Sequence, residues 1–126
     1  AAWMNDPDEA GEKDVDAFLK RFEQLYDYAA KQVLRFGLLA NGETVAGMSA
    51  RDAFDRAEAL GAGTPAEDWM AFAAIRNELA HAYSIDPVRR ADRVNGALEA
   101  APALLAAVDD MMDLWRRRGL LEGESR

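Results

Sequence analysis

Residues 64–87 read TPAEDWMAFAAIRNELAHAYSIDP. Thr64 followed by Pro65 is a helix start signal, an N-cap residue and then proline at the first helical position. Glu67, three positions after Thr64, completes a capping box. Trp69, Phe72, Arg76, Leu79 and Tyr83 then fall on one stripe at helical spacing, with Met70, Ala74, Asn77 and His81 on the stripe beside it. The pattern predicts a helix running to about Tyr83 or Ser84. Asp86–Pro87 repeats the start signal and opens another. Two helices joined by a short turn fit an up-and-down helical bundle.

Upstream, apolar residues from about Glu12 to Ala40 (Val15, Phe18, Leu19, Phe22, Leu25, Tyr26, Ala29, Val33, Leu34) again recur with a helical period. The stretch NGETVAG (Asn41–Gly47) interrupts them with two glycines. Ser49 can cap a short helix with Asp52 in its first turn, and GAG at 61–63 stops it. Downstream, Val94, Leu98, Ala101, Leu105, Val108, Met112 and Trp115 alternate three and four apart along a long last helix. Pro102 is expected to kink it or split it in two. No β-period occurs. The prediction is an all-α, up-and-down bundle of four or five helices, with a flexible acidic tail at 1–11, a helical domain at 12–119 and a flexible tail at 120–126.

Composition narrows the function classes. The chain of 126 residues is half hydrophobic and 30% charged, enough for one modest core. It lacks cysteine, so disulfides and thiolate metal sites are excluded. No apolar run reaches membrane-spanning length and no leader pattern is present, which predicts a soluble, cytoplasmic protein without membrane contact. A net charge of −8 argues against a broad nucleic-acid surface. Six acidic side chains within residues 1–16 account for much of it, so a local basic site is compatible with the total.

Within the opening stretch, Arg76 and His81, the only histidine, stand out on or beside faces that are otherwise apolar. An arginine there needs an anion or a partner. His81 can exchange protons near neutral pH, and Asn77 can orient its ring. The plain alternatives are a histidine favoured at a helix C-terminus, an arginine that snorkels and a tyrosine in the core.

The string RNELAHAY resembles the Arg-x4-His-x-Tyr signature of the HEPN superfamily, in particular its HepT-like branch, and Asn77 matches the polar residue that commonly follows the arginine. SARDAFDRAEALGAGTPAEDWMAFAAIRN (49–77) is similar to the short helix, break and helix preceding that signature in relatives that act with small nucleotidyltransferases. The likeness spans about Val15 to Trp115. It implies a helical bundle that forms a homodimer through the motif helices. It also implies a metal-independent endoribonuclease toxin, with Arg76 and His81 catalytic, Asn77 supporting and no cofactor. A cognate nucleotidyltransferase antitoxin would silence it by transferring AMP to Tyr83. The other function the resemblance allows is a non-catalytic, substrate-binding subunit of a two-component nucleotidyltransferase.

Arg89, Arg90 and Arg93 are candidate RNA contacts or simply a solvated helix face. Arg116–Arg118 are expected to stabilise the end of the last helix. Asp109, Asp110 and Asp113 are read as a solvated face rather than a metal site. No phosphate-binding glycine loop or nucleotidyltransferase Gly-Ser motif is present, so the chain itself is not expected to transfer nucleotides. The apolar members Trp69, Phe72 and Leu79 suggest the Thr64–Tyr83 helix as the pairing surface of the homodimer.

Overall fold

The computed structural model describes residues 9–81 and 86–121. It is an all-α helical bundle, with no strand among the described residues. Helix α1 is built of three consecutive segments, Glu9–Asp27, a π-helical Tyr28–Val33 and Leu34–Ala40. Helices α2 (Ala50–Ala59), α3 (Ala66–Leu79) and α4 (Pro87–Arg117) follow. Asp16 meets Arg90 and Gly37 meets Trp115, so α1 and α4 run parallel. Asp110 reaches Gly63 while Arg93 reaches Glu78, so α3 runs against α4. The three long helices therefore alternate up, down and up. Short α2 joins them at one end, which we call the base. The start of α1, the end of α3 and the start of α4 form the top.

The π-helical segment has a packing reason. Phe22, Tyr26, Ala30, Leu34 and Leu38 are all buried at intervals of four. In an α-helix each such step advances the face by about 40°, and the row would wind off the core. A wider turn in mid-helix resets the phase and keeps the row inside.

At the base, Trp115 lies flat against Gly37. A Cβ on Gly37 would sit 2.0 Å from Cε2 of the indole, so glycine is what lets the ring in. The Trp115 Nε1 is buried and makes no hydrogen bond among the described residues. Trp69 stacks on Phe54 of α2 at 4.8 Å and meets Phe72 edge-on at 5.7 Å, tying α2 to α3.

The helix starts at Ser49 and Asp86 hold: each side chain accepts from a backbone N–H three residues on, at 3.0 Å. Thr64 does not cap. Pro65 occupies the N-cap position, and the Ala66 N–H donates to Glu58 at 2.8 Å. The Gly63 and Thr64 N–H groups donate to Asp110 at 2.8 and 3.0 Å, which corrects the reading of Asp110 as a solvated residue. Asp113 pairs with Arg117 at 3.1 Å. Arg118 donates to the Leu60 carbonyl at 3.0 Å and Arg117 to that of Gly61 at 3.5 Å, so the terminal arginines bind neighbouring loops as well as their own helix.

Helix α4 departs from its predicted seam. Leu98 and Leu105 are 51% and 55% exposed, and the buried row is Ala97, Leu104, Ala107, Val108, Met111, Leu114 and Trp115. A helix wedged between two neighbours buries a stripe centred between them, and alanines lining it carry little hydrophobic signal. Pro102 neither splits nor ends α4; it lies on the exposed side, where water can take up the carbonyl left without a donor. The predicted tail boundaries also shift, since the helix already includes Glu9–Gly11 and Leu120 and Leu121 pack against the core.

Candidate functional site

Helix α3 ends at Leu79 rather than Tyr83 or Ser84. Leu79 is buried, and the two residues that follow it, Ala80 and His81, are exposed, so neither adds burial to a further turn. His81 sits in the closing turn, its backbone N–H donating to the Glu78 carbonyl at 3.1 Å. The predicted one-turn helical register between Asn77 and His81 is therefore broken. Tyr83 lies outside the described residues.

Arg76 is in the last turn of α3 and faces α1. Its Nε donates to Asp27 Oδ1 and its Nη2 to Asp27 Oδ2, each at 3.0 Å, while Nη1 is 3.5 Å from Glu23 Oε1. This is a bidentate, charge-assisted pair between helices. About a quarter of the arginine side chain remains exposed. The hydrogen bonds from Arg76 hold the Asp27 carboxyl below its usual range, and Asp27 holds the guanidinium above its own. Burial, with the Asp27 charge beside it, pushes the neighbouring Tyr26 hydroxyl up.

Arg90 makes the corresponding contact near the start of α4, donating to Asp16 at 3.1 Å. Asp16, Glu23 and Asp27 thus form an acidic row on α1, seven and four residues apart, that receives arginines from α3 and α4. The sequence held this signal, but it lay hidden beside the stronger apolar period of the same helix.

On the opposite flank of α3, Ile75 and Glu78 face Arg89, Asp92, Arg93 and Gly96 of α4 across a groove of about 300 Å³. Arg93 stands 3.7 Å from Glu78. The structure therefore separates the predicted residues. Arg89 and Arg93 line the groove, Arg90 and Arg76 turn toward α1, and Asn77 and His81 are exposed at the top.

No family model, curated protein or solved structure matches this chain. What the site can do rests on its own geometry. It offers a guanidinium fixed against α1, an exposed imidazole five residues on in the chain, and a separate two-arginine groove on the other flank of α3. No cluster of three or more metal-ligating side chains gathers among the described residues, and no described helix is long and apolar enough to cross a membrane.

One further expectation changes. Trp69, Phe72 and Leu79, the apolar members offered for pairing two chains, are consumed by the core of a single chain. The need of Arg76 for an anion or a partner is met within the chain, by Asp27 and Glu23 of α1.

Proposed function

We propose that the chain is a cytoplasmic, metal-independent endoribonuclease of the HepT-like toxin type, acting as a homodimer and silenced by a cognate nucleotidyltransferase. The observation that carries the reading is the pairing of roles at the end of α3. Arg76 is held by two hydrogen bonds yet partly exposed, and His81 stands in the exposed turn just beyond it. One group can neutralise a phosphate and the other can move a proton.

In this reading the RNA 2′-hydroxyl attacks the adjacent phosphorus, a new O–P bond closes a 2′,3′-cyclic phosphate and the 5′-oxygen leaves. His81 of one copy takes the 2′-hydroxyl proton and His81 of the second copy protonates the leaving oxygen. Arg76 stabilises charge on the non-bridging oxygens. Asn77, exposed beside Arg76, supplies a polar contact to the RNA, Arg90 adds charge on the α1 side, and Arg89 and Arg93 contact RNA along their groove on the other flank of α3. A two-fold dimer that pairs the exposed end of α3, with Asn77 and His81, supplies the second histidine.

The test is cleavage of RNA by purified protein in the presence of a chelator. Arg76→Ala and His81→Ala should each lower the rate by about 10²–10⁴. Light scattering at micromolar concentration should give a dimer. Incubation with the cognate nucleotidyltransferase and ATP should add the mass of AMP to wild type and not to Tyr83→Phe. A parent protein that neither cleaves RNA nor arrests growth would instead favour a non-catalytic binding subunit. The two carboxylates on Arg76 support that second reading, because a structural arginine is held in the same way.

A further inference from the structure

A guanidinium has two bidentate edges, Nε with Nη2 and Nη1 with Nη2. Asp27 occupies the first edge of Arg76 completely, with both contacts at 3.0 Å. The second edge is turned away from Asp27, and Glu23 stands beside it at a looser 3.5 Å. The two carboxylates are thus unequal. One meets the fork in the geometry that fixes its plane; the other supplies charge near Nη1 and is itself about a quarter exposed.

The backbone reinforces the difference. Asp27 is the residue on which α1 passes into its π-helical segment, immediately after Tyr26, which is buried against Trp69 of α3. That packing fixes the height of Asp27 against α3.

We propose that Asp27 is a positioning residue for Arg76, fixing its plane so that the Nη1–Nη2 edge meets a phosphodiester, and that Glu23 is the internal anion this phosphate displaces. The inference rests on the ribonuclease reading for its choice of ligand. Its consequences are opposite for the two acids. Removing the Asp27 charge loosens the arginine and damages the chemical step. Removing the Glu23 charge relieves competition and tightens binding.

The experiment uses the full chain and two readouts: dissociation of an oligonucleotide that cannot be cleaved because it lacks 2′-hydroxyls, and kcat with KM on the matching RNA. Glu23→Gln should bind the oligonucleotide about three- to fivefold more tightly, the size of one surface charge interaction. Asp27→Asn should lower kcat by about 10- to 100-fold with a smaller change in KM, as loss of orientation does. Asp55→Asn, which removes the same charge from exposed α2, should match wild type in both.

In the ¹⁵N spectrum, the Arg76 Nε–H signal should stay in place on adding the oligonucleotide, because that edge keeps its partner. Glu23→Gln that binds no more tightly, or an Nε–H signal that moves as Asp27 is released, overturns the proposal. This arm needs no activity and survives poor folding of Asp27→Asn. If wild type binds the oligonucleotide with these signatures but never cleaves RNA, positioning stands and the nuclease reading fails. If wild type cleaves RNA and both variants match it, the nuclease reading stands and positioning fails. A wild type that neither binds nor cleaves overturns both.

Discussion

The two ends of the bundle are held by different physics. At the base, the indole of Trp115 sits on the bare backbone of Gly37, Asp110 receives two loop N–H groups, and Arg118 caps the carbonyl of Leu60. These are an apolar contact and hydrogen bonds to backbone groups, with the Arg56–Glu43 pair at 2.8 and 2.9 Å beside them. Toward the top, arginines of α3 and α4 meet carboxylates of α1, with Arg76 on Asp27 at the middle of that helix and Arg90 on Asp16 near its start. Side-chain ion pairs at a partly exposed surface are weak in net stability and can be exchanged for water or another anion. The base fixes the fold, and the top is where a ligand can compete.

The contrast is broken most severely at Trp115. Trp115→Ala should destabilise by about 3–5 kcal/mol in denaturant melts. Gly37→Ala should cost at least the about 1–3 kcal/mol of overpacking. Combining Gly37→Ala with Trp115→Leu should cost less than the sum, because both act on one contact. Additive losses would remove the indole seat from the account.

Asp110→Ala comes next. It takes the acceptor from the N–H groups of Gly63 and Thr64, which water can reach in part, and should cost about 0.5–1.5 kcal/mol. Asp110→Asn should recover part of this, since one amide oxygen can still accept.

Asp27→Asn sharpens the comparison through pH. The folded-state pKa of Asp27 is lowered by Arg76, so the stability it contributes is present above the unfolded value. It disappears as pH falls through the folded value. Wild type should therefore exceed Asp27→Asn in melting temperature at neutral pH, by less than it exceeds Asp110→Ala, and the two curves should converge in acid. A gap that persists at low pH would mean that shape, not charge, holds this contact.

The smallest effect belongs to the exposed pair of Arg51 and Asp55, 4.0 Å apart on α2. Arg51→Ala should leave thermal unfolding unchanged within error, as isolated surface pairs usually do.

Helix positions were legible where one signal dominated. Ser49, the Asp86–Pro87 pair and the apolar row of α1 gave starts and a buried face, because capping and periodicity are local and need no partner. The end of α3 was not legible. Ala80 and His81 extend a helix on propensity alone, and it is their exposure in the fold that leaves them without burial to hold a further turn. Thr64 is no cap because the helix starts one residue later, with Pro65 at the N-cap, and Asp110, 46 positions away, accepts the Thr64 N–H that a capping box gives to Glu67.

The candidate site divides along the same line. Sequence by itself determined an all-α chain, the residues Arg76, Asn77 and His81 near one helix end, and the basic run Arg89, Arg90, Arg93 just after it. Those are statements about spacing along a chain whose helical period is fixed by backbone geometry. Only the tertiary structure decided that Arg76 turns toward Asp27 and Glu23, that Arg90 turns toward Asp16, and that Arg89 and Arg93 line a groove on the other flank of α3. A charged side chain takes whichever partner packing brings within reach, and which helices lie side by side is set by the whole core at once.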